Sequence, residues 1–117
     1  MLREFIETTI FTKQWHELNL TDEDLRGLQN YLLQNPNAGD IIKGTGGAVK
    51  LRWVLPGKGK RGGTRIIFVD FIHLEHLYFL TCYPKKEKIE LSPDEKKEIK
   101  NVINRLHEYG RRLKNEQ

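Results

Sequence analysis

The chain has 117 residues, of which 38% are apolar and 31% charged, and its formal net charge is +4. That length suits a single domain of residues 1–117 with one modest core. The lone cysteine, Cys82, excludes an internal disulfide and fits a reducing compartment. No apolar run approaches a membrane span, and "MLREFIETTIF" lacks the apolar stretch of a secretory signal, so the expected location is cytoplasmic with no membrane partner.

Taken in chain order, Arg3 to Glu7 reads as a short strand and Thr9 to Leu18 as a first helix with Phe11, Trp15 and Leu18 on one face. Thr21 is positioned to cap a second helix. Asp22, Glu23 and Asp24 suit its positive end, Leu25, Leu28 and Leu32 follow at helical spacing, and Asn35-Pro36 stops it. "GTGG" marks a turn. "AVKLRWVL" then alternates, with Val49, Leu51 and Trp53 on one side and Lys50, Arg52 and Val54 on the other. After the glycine-rich "PGKGKRGG", the runs "TRIIFVDFI" and "HLYFLTCY" are strands expected to pair antiparallel as a meander. Ser92, Pro93 and Glu95 form a capping signature for a last helix, whose apolar stripe is Ile99, Val102, Ile103, Leu106 and Leu113. Gly110 is a point where that helix is expected to fray or bend. The sum is an α+β fold: a small antiparallel β-sheet, an N-terminal helical hairpin packed on it and a C-terminal helix.

Charge is strongly segregated. Between Asp40 and Asp70 there is no acid, and Lys43, Lys50, Arg52, Lys58, Lys60, Arg61 and Arg65 give that interval +7. A second basic knot, "PKKEK", contributes Lys85, Lys86 and Lys88. Such a patch suits a polyanion, nucleic acid first and an anionic membrane or acidic protein second. Strand periodicity brings Arg65 close to Lys50 or Arg52, and the return at "YPKKEK" brings Tyr83 and its lysines to the same rim. Glu87 is the one acid expected there.

Fixed cations of this kind can hold the extra negative charge of a phosphorane formed when a ribose 2′-OH attacks its own phosphodiester. Arginine suits the task because its planar fork donates to two phosphate oxygens. A lysine crowded by cations is poised to give up its proton, and a tyrosine can relay one. This chemistry needs no metal and no cofactor. The plainer reading of each residue stands beside it. Lys58, Lys60 and Arg61 suit a grip on RNA phosphates better than catalysis, Trp53 suits packing, and His73 and His76 suit surface positions.

"GTGGAVKLRWVLPGKGKRGGTRIIFV", followed by "YFLTCYPKKEKIELSPDEKKEI", resembles the HigB branch of the RelE-type toxins of bacterial toxin–antitoxin systems. The resemblance implies a ribosome-dependent endoribonuclease that cuts mRNA in the ribosomal A site and stops translation. The cut leaves a 2′,3′-cyclic phosphate and a 5′-hydroxyl. The implied partners are the ribosome, mRNA and a cognate HigA-like, DNA-binding antitoxin. By position, Lys50 and Arg52 fall on the family's basic strand and Arg65 on its phosphate-binding arginine. Lys86 stands where many members carry a second arginine. A tyrosine found in some members falls near Leu91 or Ser92 and is missing, leaving Tyr83 as the nearby substitute. The expected catalytic set is therefore Lys50, Arg52, Arg65, Lys86 and Tyr83. Lys43, Lys58, Lys60, Arg61, Lys85 and Lys88 form the expected RNA- and ribosome-binding set. Two alternatives stay open: a non-catalytic RNA- or ribosome-binding protein, and an inactive toxin homologue acting in operon regulation.

Overall fold

A computed structural model describes residues 1–54, 63–87 and 90–115. The elements in order are β1 (Glu4–Glu7), α1 (Thr9–Glu17), α2 (Asp22–Gln34), β2 (Asp40–Ile41), β3 (Val49–Trp53), β4 (Thr64–Phe71), a 3₁₀ turn (Ile72–Leu74), β5 (His76–Pro84) and α3 (Pro93–Asn115). The strands form a five-stranded sheet in the order β1-β5-β4-β3-β2. β3, β4 and β5 make the expected antiparallel meander. The sheet is mixed rather than wholly antiparallel, because β1 joins its far edge parallel to β5, with Phe5 beside Leu77. The chain leaves β1 through α1 and α2 and returns to β5 only after crossing the whole sheet, and that order of travel sets their common direction.

Capping follows the side-chain chemistry. The Thr21 hydroxyl accepts from the Asp24 amide at 3.0 Å, while the Asp24 carboxylate accepts from the Thr21 amide at 2.9 Å. Ser92 and Glu95 exchange the same pair of bonds at the start of α3, at 2.8 and 3.1 Å. Gly110 does not end α3. It is buried under the 3₁₀ turn, and a Cβ there would meet Leu74 Cδ1 at 2.3 Å, so the glycine lets α3 lie close to the sheet. Leu113, the last residue of the expected stripe, is exposed.

The sheet is covered on both faces. On one, Leu51, Ile66, Phe68, Leu77, Phe79 and Cys82 pack against Phe11, Trp15, Leu25, Leu28 and Leu32 of the helical hairpin. On the other, Ile67, Val69, Tyr78, Leu80 and Tyr83 pack with Leu91 and with Ile103 of α3. Burial on both sides explains the unbroken apolar run Ile66–Val69 in β4. Trp53 packs at the edge of the hairpin-side core with its ring 5.2 Å from that of Tyr31, which favours its reading as a packing residue.

Arg3 reaches across the start of β5 to Asp70 and binds both carboxylate oxygens, at 2.7 and 3.1 Å. Its pKa is raised, first by the hydrogen bonding to Asp70 and, against the opposing effect of burial, by that carboxylate's charge. The two side chains are only 10% and 16% exposed. Asp70→Ala would strand the guanidinium and is expected to cost about 2–3 kcal/mol, somewhat less than breaking a fully buried pair. Urea denaturation of wild type and variant checks this, and equal midpoints would refute it.

Cys82 is buried beneath α1, where its amide donates to Gln14 Oε1 at 3.1 Å. Burial, and secondarily the charge of Glu7, pushes the thiol from 9.0 up to about 12. The folded protein therefore favours the neutral thiol. Its contribution to stability is complete below pH 9 and falls as pH rises from 9 toward 12, because the unfolded thiol ionises first. Iodoacetamide at pH 8 is expected to label Cys82 slowly in the native protein and rapidly in denaturant. Equal labelling rates would contradict this placement.

Candidate functional site

The basic residues meet on the α3 side of the sheet, at the end where β3 leaves it and β4 enters. Arg52 of β3 stands directly opposite Arg65 of β4, and Arg65 stands directly opposite Tyr83 of β5. Strands lie about 4.8 Å apart, so these three positions form a row about 10 Å long. Lys50 lies two residues along β3 on the same side, opposite Ile67. Lys50 and Arg65 are half-buried, whereas Arg52 is exposed.

Local backbone geometry brings a second group of cations to this row. Gly63, with φ of +67°, precedes β4. A Cβ at that position would sit 2.6 Å from the Trp53 carbonyl oxygen and 2.9 Å from Val54 Cγ2, so only glycine lets the two strands approach there. The Gly63 carbonyl accepts from the Lys85 amide at 3.4 Å, and Thr64 pairs with Pro84. This ties the turn at Lys85, Lys86 and Glu87 to the Arg65 end of the sheet. All three side chains are exposed. Lys43 is exposed in the β2–β3 connection, which the buried Thr45 holds by donating to the Ile42 carbonyl at 2.7 Å and accepting from the Ala48 amide at 3.0 Å. Lys58, Lys60, Arg61 and Lys88 lie outside the described residues.

Tyr83 differs from its expected place at the rim. It is 3% exposed and belongs to the core under α3. It still stands opposite Arg65, but Leu91 and α3 cover it on that face, and a bulge opposite Ile67 and Phe68 sets which face it takes. The extra residue shifts the alternation of β5, so Tyr78, Leu80 and Tyr83 all join the α3-side core despite the odd spacing between the two tyrosines. Tyr83 also lines a cavity of 440 Å³ between the start of α1 and α3, with Ile99 and Val102 in its wall and Glu87, Glu95 and Glu98 around it.

Glu87 is not the only carboxylate on this side. Asp40 of β2 pairs in register with Lys50, and cross-strand partners share a face of the sheet. Asp40 and Glu90 line a small cleft with Lys50 and Lys96, the latter from the first turn of α3. Leu91 separates this cleft from the cavity beside Tyr83, since it lines both. Lys96 is the residue that the sequence reading missed. Its only signal was its place one turn after the Ser92 cap, which sets it on the side of α3 that faces the basic strand.

Among the described residues, no three histidine, cysteine, aspartate or glutamate side chains come together as a metal site, and no helix is long and apolar enough to cross a membrane. His73 is exposed, and His76 lies 3.6 Å from Glu4 at the sheet edge remote from the basic row.

Comparison with known families finds a match to a family over nearly the whole chain. The model of that family, described as the RelE toxin of the RelE/RelB toxin–antitoxin system, matches residues 4–114. This chain belongs to the RelE toxin family. Membership makes it the toxin half of a pair and implies an antitoxin as its partner. The matched span of this RelE-family toxin runs through β3, β4, β5 and α3.

Proposed function

We propose that this RelE-family toxin is a ribosome-dependent mRNA endoribonuclease of the HigB branch, paired with a HigA-like, DNA-binding antitoxin. The observation that carries this reading is the Arg52–Arg65–Tyr83 row with Lys50 beside it on the same strand face. The reaction needs the ribose 2′-OH to attack the adjacent phosphorus. A new P–O2′ bond forms, the P–O5′ bond breaks, and the products are a 2′,3′-cyclic phosphate and a 5′-hydroxyl. One proton leaves the 2′-OH and one reaches the departing 5′-oxygen.

Arg65 and Arg52 supply guanidinium forks to the non-bridging oxygens as charge accumulates on them. Both sit on strands paired on each side or closely flanked, so little reorganisation accompanies the reaction. Proton transfer falls to the amines of Lys50 and Lys86, one from the sheet floor and one from the turn tied to Gly63. Tyr83, held in the core, serves as the wall against which the Arg65 position is set. Lys43 and Lys85, together with Lys58, Lys60, Arg61 and Lys88, grip phosphates of mRNA and ribosomal RNA.

The test is expression of the chain alone in bacteria, with 5′ ends of mRNA mapped before and after induction. New 5′-hydroxyl ends within translated codons support the reading, as does their disappearance when the adjacent antitoxin gene is co-expressed. Growth arrest without new ends would mean that the basic row binds RNA without cutting it.

A further inference from the structure

α3 keeps its two signs of charge apart. Lys96, Lys100, His107, Arg111 and Lys114 follow one another at helical spacing. At about 100° and 1.5 Å per residue they share an arc of about 60° and run about 27 Å along the helix. The acids lie off this stripe, with Glu95 and Glu98 lining the cavity against α1. Among the described residues, the stripe's one ion pair joins Arg111 to Glu108 at 3.0 Å, and both side chains are more than half exposed, so that contact holds little charge back. Burial of Ile103 and Gly110 fixes the rotation of α3. A Cβ on Gly46 would lie 3.7 Å from Lys100 Cγ, so Lys100 stands beside the turn that follows exposed Lys43. Lys96 shares a small cleft with Lys50, and farther along the His107 ring stacks on Phe71 with centroids 5.5 Å apart. The cations thus continue from the basic strand toward the far end of α3.

Helix stability does not account for this order. Like charges four residues apart, as in Lys96 and Lys100, weaken a helix. Lys96 also stands near the positive end of the helix dipole, where a cation is unfavourable. Only Arg111 and Lys114, near the other end, gain from the dipole. Resting on the nuclease reading above for RNA as the target, we propose that the stripe is a docking track for the phosphate backbone of double-stranded RNA, separate from the Arg52–Arg65 row. A single strand is held on exposed aromatic rings, and the stripe's one ring, His107, is already stacked on Phe71. A membrane-surface helix sets apolar residues beside its cations, whereas exposed Tyr109 and Leu113 lie on the opposite flank of α3. A rigid row of cations instead suits a duplex, whose phosphates stand at regular intervals and are recognised by shape. The track holds an RNA helix while the row acts on a different, single strand.

The experiment measures binding of the full chain to a short RNA duplex carrying 2′-O-methyl riboses, which cannot be cut, across a range of salt. Two double variants remove the same charge from exposed positions of α3: Lys100→Ala with Arg111→Ala on the stripe, and Arg105→Ala with Arg112→Ala off it. The stripe variant is expected to lose about tenfold in affinity at low salt and about two units of salt slope, the off-stripe variant less than about twofold. Thermal melting shows that both stay folded. Equal losses in the two variants, or tighter binding to the single strand or to duplex DNA than to duplex RNA, overturn the track. The readout needs no cleavage, so the two readings separate. A chain that cuts mRNA yet holds the duplex equally in both variants loses only the track. One that never cuts yet loses duplex binding in the stripe variant alone loses only the nuclease assignment.

Discussion

Arg65→Ala is expected to lower single-turnover mRNA cleavage by about 10²–10³-fold, the usual effect of removing one fixed donor from a developing oxyanion. The size of the effect follows from where Arg65 sits. It is the middle position of the row, with Arg52 opposite on one side and Tyr83 on the other, and it is half-buried where Arg52 is exposed. A guanidinium less exposed to water interacts more strongly with phosphate charge than one on an open surface. Arg65→Lys should recover only part of the rate, since an ammonium cannot donate in parallel to two oxygens. Lys85→Ala, on the exposed turn, should instead lower affinity modestly and reduce the salt dependence of binding by about one phosphate contact. Rates measured on ribosome-bound mRNA, with thermal melting to show that each variant stays folded, check the series. An Arg65→Ala protein cutting at the wild-type rate would remove Arg65 from the chemistry.

That Arg65 would lie near Lys50 or Arg52 was legible from strand alternation, whereas its register opposite Arg52 was not, because ten residues between β3 and β4 leave several registers open. Also legible were the second helix and α3, whose caps and apolar spacings agree with each other. β1 was legible as a strand but not as a parallel partner of β5, since nothing local to residues 4–7 records which edge they meet. β2 was invisible, because two residues cannot show a period of two. With β2 went Asp40, the carboxylate opposite Lys50. The burial of Tyr83 was hidden because its cover, Leu91 and α3, comes from later in the chain, while the bulge in β5 breaks the parity that would tell which face it takes. Gly110 read as a weak point of a helix, because the close approach of Leu74 comes from a segment 36 residues earlier in the chain.

Phe79→Ala is expected to be the most destabilising single truncation, at about 3–5 kcal/mol. Phe79 is fully buried in β5 and lies between two other rings. Its centroid is 4.9 Å from that of Phe11 in α1, with planes at 18°, and 5.7 Å from that of Phe5 in β1, with planes at 12°. Truncation leaves a void between rings anchored on two different elements. Neither can close it without pulling its own backbone, so little of the cavity collapses. The loss corresponds to a fall in melting temperature on the order of 10 °C or more. Phe79→Leu, which keeps most of the volume, should lose much less. Phe79 faces the helical hairpin, opposite the face that carries Arg52 and Arg65, so cleavage per folded molecule should stay within about twofold of wild type at a temperature where the variant is native. Chemical denaturation alongside single-turnover cleavage separates the two effects. Unchanged stability would refute the three-ring stack as the centre of the hairpin-side core, and a cleavage defect as deep as that of Arg65→Ala would show that the two faces of the sheet do not act independently.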